Sequence, residues 1–196
     1  MIMLMNSTCA TPISSRFLTR WIAPWTVLLL WAMFGGRPVL ATELAMLAPP
    51  DVTGTPQVSE VLVSKQERRM YLMAGDEVIR SYRIGLGDNP SGHKLYEGDE
   101  RTPEGDYTLD WRNPDSDFYK SIHISYPNEK DRELASAWGL NPGGSIMIHG
   151  LPNGAEGMGF AYLGLDWTDG CIAVSNTEMD EIWQLVADGT PIRILP

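Results

Sequence analysis

Cysteine is nearly absent from this sequence: its 196 residues contain Cys9 and Cys171 and no third. Positive charge is scarce as well, with 15 Lys and Arg against 25 Asp and Glu, a formal net charge of −10. Histidine occurs three times, as His93, His123 and His149. After residue 41 no apolar run approaches the roughly 20 residues needed to span a bilayer. Each scarcity excludes something. The acidic balance argues against a nucleic-acid partner, which needs a basic surface for its phosphates, and otherwise serves solubility. The scattered His and Cys residues lack zinc spacing, so neither a metal nor an organic cofactor is expected.

What is present begins with an export signature. Arg16 and Arg20 flank an uncharged apolar run over residues 21–34, and the small residue Ala41 closes a Val-Leu-Ala cleavage site. Residues 1–41 therefore read as a secretory signal peptide, or as an N-terminal membrane tether if left uncleaved. Either outcome places the remainder outside the cytoplasm, in the periplasm or cell envelope. Cleavage leaves 155 residues, Thr42–Pro196, with 12 basic against 25 acidic side chains. That is one domain's worth of chain, with a Pro/Gly-rich linker over 42–57 and a single domain over 58–196. Cleavage also removes Cys9, so the domain holds one thiol and can form no internal disulfide in a compartment that would permit one. A lone thiol there is either buried and inert or in use.

The domain reads as mostly β. Strand patterns fall at 58–64, 68–75, 77–87, 105–111, 120–126, 144–150, 171–175 and 190–195, with hairpin chemistry in "AGDE". A helix after Ser175 is marked by a capping box with Glu178, by Met179, Ile182, Trp183, Leu185 and Val186 at helical spacing, and by Gly189 as its stop. Residues 128–138 are a weaker helix candidate. Segments 88–104 and 150–169 are long, Gly-rich and aperiodic, the kind of loop that carries binding on a rigid sheet.

A nucleophilic cysteine needs a base and oxyanion donors. Cys171 opens an apolar strand, where a packed core residue and a nucleophile are both admissible. His149 ends a strand beside a loop and faces away from Ile146 and Ile148, which suits a buried structural histidine or a base. His93 reads as a solvated loop residue, and His123 as either a sheet residue or a pocket wall. The amides of Gly170 and Cys171 are candidate oxyanion donors.

Taken together, "IMIHG" (146–150) and "TDGCIAVSN" (168–176) resemble the signature of the L,D-transpeptidase catalytic domain, the YkuD-like family, and within it the YafK-like murein branch. "RTPEG" (101–105) is similar to the family's Thr-Pro turn, and "DGTPIRIL" (188–195) to its closing strand. The resemblance implies a β-sandwich with one or two short helices. It also implies that Cys171 attacks the diaminopimelate carbonyl of a peptidoglycan stem peptide, with His149 as base and Gly170 and Cys171 as oxyanion donors. The resulting thioester passes to an amine acceptor, making a 3-3 crosslink or a protein attachment. Thr168, Asp169, Gly150, His123 and Tyr126 fall to the substrate side of the site, and carbapenems should acylate the thiol.

Three departures from the pattern stand out. Asp169 occupies the place of the motif's internal histidine, Ala173 that of a polar residue two after the cysteine, and the gap from His149 to Cys171 is long. That gap suggests an apolar cover over the thioester. The alternatives left open are hydrolysis of the same bond by water, as an L,D-endopeptidase or carboxypeptidase, and a catalytically silent wall-binding domain.

Overall fold

The computed structural model describes residues 57–155, 157–162 and 164–196. The expected signal segment, and the expected linker except for its last residue, lie outside them. The elements run β1 (Glu60–Ser64), β2 (Arg69–Ala74), β3 (Glu77–Arg83), β4 (Gly105–Ser116), β5 (Tyr119–Ile124), α1 (Glu129–Ala137), β6 (Met147–His149), α2 (Gly159–Tyr162), β7 (Ile172–Ala173), α3 (Asn176–Leu185) and β8 (Thr190–Leu195). The eight strands form one sheet in the order β3-β2-β1-β8-β4-β5-β6-β7. No helix among the described residues is long and apolar enough to cross a membrane.

Alternation decides which way each strand faces. Val61 pairs with Leu72 and Ile192, and Ile192 with Tyr107, so one buried row crosses β2, β1, β8 and β4. In the other half Ile122 pairs with Ile148, and Ile148 with Ile172, making a second row that is at most 1% exposed. Met179 and Ile182 of α3 join the same core. Truncating one such isoleucine to alanine costs about 2–5 kcal/mol.

The sheet curls onto itself. Beyond β3 the chain leaves β2, and Gly85 exchanges both backbone hydrogen bonds with Ala173, at 2.9 Å each. Room is the reason for glycine there, since a β-carbon on Gly85 would lie 2.6 Å from the Leu165 carbonyl oxygen. The expected third strand thus splits at its glycines, and its tail joins the opposite edge of the sheet. Helix boundaries follow capping chemistry. Ser175 and Glu178 form the expected box before α3, and Asn128 with Asp131 forms a second before α1, which makes the weaker candidate a full helix.

Candidate active site

The thiol and the imidazole sit on adjacent parallel strands. Ile148 is opposite Ile172 and His149 opposite Ala173, so one step back Met147 meets Cys171, and the Met147 N–H reaches Sγ at 3.4 Å. With the isoleucines facing the core, His149 and Cys171 share the other face as diagonal neighbours. Such neighbours lie about 7–8 Å apart across a ladder, within reach of long or aromatic side chains.

His149 is 3% exposed. Its ring packs 4.6 Å from that of Phe118 and 5.7 Å from that of Trp167. Nδ1 lies 2.6 Å from the Gly150 carbonyl oxygen. A carbonyl can only accept, so Nδ1 carries the proton and Nε2 holds the basic lone pair. Burial lowers the imidazole pKa below its ordinary value and outweighs the Gly150 bond, which raises it. The resting imidazole is therefore neutral near pH 7. Gly150 must be glycine on room alone, because a β-carbon would sit 2.6 Å from Asn176 Oδ1 and 2.9 Å from Tyr119 Cβ.

Burial is also the first influence on Cys171 and pushes its thiol up. The Met147 N–H opposes this, the Asp169 charge reinforces it, and Lys94 opposes it. The thiol points toward the Ser145 carbonyl oxygen at 3.6 Å. Ser145 holds φ +57°, unusual for a residue with a side chain, at the end of a turn that also places Gly143 at φ +74°. That turn shortens the expected 144–150 strand to three residues and aims its carbonyl at sulfur. The two groups are thus a neutral thiol and a neutral imidazole rather than a preformed ion pair.

Cys171 opens onto a cleft of about 720 Å³ lined by Lys94, Glu97, Glu100, Asn141, Ser145 and Asp169, among others. The 88–104 loop supplies one wall, as its composition suggested. It is wound on a buried ion pair: Lys94 Nζ meets Asp99 Oδ1 at 2.8 Å, and Asp99 also accepts from the amides of Leu95, Tyr96 and Arg101. Burial pushes the Asp99 carboxyl up, but Lys94 and these amides outweigh it and hold it below the ordinary range. Lys65, itself buried, clasps the same loop through Gly92 O, Thr102 O and Glu104. Thr102 Oγ1 accepts from Gly87 N at 3.2 Å, which gives the "RTPEG" turn its task.

The remaining expected site residues separate. Asp169 is exposed on the cleft wall. Thr168 is buried; its hydroxyl donates to the Cys171 carbonyl at 2.7 Å and accepts from the Gly170 amide at 3.2 Å. Gly170 N–H is therefore spent inside the turn, and of the two expected oxyanion amides only that of Cys171 lacks a partner among the described residues. Tyr126 is not on the substrate surface. It is 2% exposed and lies beneath the cleft, its hydroxyl donating to Pro142 O at 3.1 Å and reaching Lys94 O at 3.4 Å, so it ties the two cleft walls together. His123 faces the same side as Cys171 but two strands away, with Nδ1 2.6 Å from Asp110 Oδ1. His93 is no free loop residue: its Nδ1 accepts from Glu104 N at 3.0 Å and its Nε2 meets Asp131 at 3.2 Å.

The 150–167 segment packs behind the imidazole. Tyr162 lies 5.1 Å from Trp167, which covers His149, and none of the described residues of 150–167 lines the cleft. The cover expected over the thioester thus lies, in its described part, over the His149 imidazole. Sequence reasoning named none of Ser145, Met147, Lys94, Glu97, Glu100, Phe118 and Trp167 individually; the available signals were the composition of the 88–104 loop, which holds Lys94, Glu97 and Glu100, and the Asn-Pro-Gly-Gly turn before Ser145. Among the described residues no three His, Cys, Asp or Glu side chains are placed to hold a metal ion.

These features were compared with known proteins. The chain is 32% identical over 139 residues to YafK of Escherichia coli K12, provisionally named an L,D-transpeptidase, with 68% of this chain and 48% of that protein covered. The YafK of strain O157:H7 matches to the same extent. The chain thus spans about half the length of the curated relatives it matches. Among solved structures it is similar to the helical cell shape determining protein Pgp2 of Campylobacter jejuni, at 30% identity and a TM-score of 0.54, covering 70% of this chain and 47% of that one. Residues 59–194 match the family described as YkuD, the L,D-transpeptidase catalytic domain, and the chain belongs to that family.

Proposed function

We propose that this chain is an exported cysteine acyltransferase that cleaves a peptidoglycan stem peptide after its third residue and passes the acyl group to an amine. The observation that carries the reading is the tautomer of His149. Its Nδ1–H is held by Gly150 O, which leaves a neutral, basic Nε2 on the face that presents Cys171. As Sγ attacks the diaminopimelate carbonyl carbon, its proton passes to Nε2, and the new oxyanion turns to the Cys171 N–H. The tetrahedral adduct collapses to a thioester, and the departing D-Ala amine takes the proton from His149. A neutral acceptor amine then attacks the thioester and gives a proton to Nε2, and the departing Cys171 sulfur takes that proton back from His149. Glu97, Glu100 and Asp169 give the cleft an acidic rim that draws an ammonium-bearing acceptor.

Hydrolysis is the second reading. It is favoured by one feature: the described part of segment 150–167 covers the base and leaves the cleft open to water. Incubation with disaccharide tetrapeptide and mass spectrometry separates the outcomes. A crosslinked dimer with loss of D-Ala is expected; disaccharide tripeptide and D-Ala alone would transfer the assignment to a hydrolase, and unchanged substrate would refute both. Export is tested by the N-terminus of protein recovered from the envelope, expected at Thr42.

Asp169 gives an independent test. Its carboxylate holds the thiol up, after burial. Asp169→Asn should therefore shift the pH midpoint of Cys171 alkylation by iodoacetamide downward. Because Asp169 is exposed, the difference between the two proteins should shrink at high salt. A midpoint that does not move would show that the thiol is insulated from this charge.

A further inference from the structure

On the cysteine-bearing face of the sheet, β4 carries one extra residue opposite β5. Leu109 pairs with Ile124 and Arg112 with Ile122, so Asp110 and Trp111 together oppose His123. A bulge of this kind turns two successive side chains onto one neighbour. Both contacts are made: His123 Nδ1 donates to Asp110 Oδ1 at 2.6 Å, and the Trp111 ring stacks on the imidazole at 4.8 Å and 17°. Trp111 is 45% exposed, and His123 is its one ring partner among the described residues. A carboxylate accepts, so Nδ1 donates to it and Nε2 faces away from Asp110, where in the neutral ring it is an acceptor. Neither Nε2 of His123 nor the second oxygen of Asp110 has a protein hydrogen-bond partner among the described residues.

The platform is in register with the nucleophile. His123 is opposite Met147, and Met147 meets Cys171. The row His123, Met147, Cys171 thus crosses β5, β6 and β7, about 10 Å at the usual strand spacing, and Trp111 lies one strand further on. Three extended residues span about 10–11 Å. A stem peptide whose third carbonyl is at Sγ can therefore lay its first residue beside His123 and its sugar over Trp111.

Resting on the reading that the donor is a stem peptide, we propose that Asp110, Trp111 and His123 form a subsite for the N-acetylated amino sugar to which that peptide is attached. The C–H face of a pyranose fits a flat exposed indole, while the open oxygen of Asp110 and Nε2 of His123 accept from sugar hydroxyls or the acetamido N–H. Trp111 and Asp110 are specificity residues for glycan-linked over free peptide, and none of the three takes part in bond breaking.

Calorimetry on Cys171→Ala protein, which binds without turnover, tests this. Disaccharide tetrapeptide should bind about tenfold more tightly than free tetrapeptide, the scale of one aromatic stacking contact. Adding Trp111→Ala should bring the glycan-linked ligand down to the affinity of the free one, and Trp111→Phe should keep part of the preference. A sugar preference that survives Trp111→Ala, or one absent from Cys171→Ala itself, overturns the subsite. If wild-type protein turns over free tetrapeptide while Cys171→Ala shows no sugar preference, the subsite fails and the reaction stands. If Trp111-dependent sugar binding occurs without turnover by the wild type, the reaction fails and the subsite stands.

Discussion

Cys171→Ala should yield no detectable product from disaccharide tetrapeptide and no carbapenem adduct by intact mass, while His149→Ala should lower kcat/KM by about 10²–10⁴-fold. The two effects differ because the sulfur is the atom acylated, whereas the imidazole moves a proton that water can move more slowly. The pH profile identifies the base. Burial lowers the pKa of His149, so the imidazole stays neutral and competent below its ordinary pKa of about 6.5, and the acid limb of kcat/KM should lie below that value. The thiol pKa is raised, so alkylation should climb through the alkaline range without the low-pH plateau of a thiolate–imidazolium pair. His149→Gln keeps more of the volume packed between Phe118 and Trp167 and separates loss of the base from loss of packing. If both His149 variants retain the rate, the base lies elsewhere and His123 Nε2 is the next candidate. Product from Cys171→Ala would end the covalent mechanism.

Much of the sheet was legible because burial enforces alternation. Val61 and Val63, like Ile192 and Ile194, are buried on one face with half-buried or exposed residues between them, and strands at these places follow directly. The helix after Ser175 was legible through its cap. The weaker helix carried a box of the same kind in Asn128 and Asp131, with aspartate in place of the usual glutamate. What local pattern does not encode is how a strand ends. Ser145 at positive φ shortens β6, and the glycines at 85 and 87 carry the tail of β3 across to β7, both dictated by distant backbone.

The site divides in the same way. The nearness of Cys171 to His149 was legible because the motif puts them at the ends of paired strands, and pairing puts them on one face. Tyr126 was misassigned because an aromatic residue next to a strand reads alike whether it lines a cleft or supports it from below. Gly170 was assigned a free amide because the sequence does not show that the Thr168 hydroxyl claims it. Trp111 was invisible as a partner of His123, since one bulged residue changes the phase of β4 until a second irregularity between Asn113 and Ser116. Lys94 and Asp99 sit in a loop without period, and only the fold shows that they bury each other.

A large structural effect at the cysteine turn should come from Gly170→Ala. Gly170 holds φ +123°, a region costly to residues with a β-carbon. An added β-carbon would lie 2.5 Å from the Arg101 carbonyl oxygen and 3.2 Å from Ile146 Cδ1. The first neighbour is backbone, in the turn whose Thr102 holds Gly87, so relief requires moving the cleft wall or the cysteine turn. Strain and contact together should cost about 3–5 kcal/mol, which for a domain of this size lowers Tm by roughly 10 °C. Gly75→Ala is the reference for an open left-handed position: its φ is +61° and nothing lies within 4 Å of the added carbon, so it should cost only about 1–2 kcal/mol of backbone strain. Thermal unfolding of the two variants compares the combined contact and strain at Gly170 with that lesser strain. A drop for Gly170→Ala no larger than for Gly75→Ala would show that the Arg101 turn yields freely. Retained acylation at a strongly lowered Tm would show that sulfur keeps its place by the Met147 and Ser145 contacts alone. The expected result is loss of both, because the residue that brings the chain closest to Arg101 is bonded directly to the nucleophile.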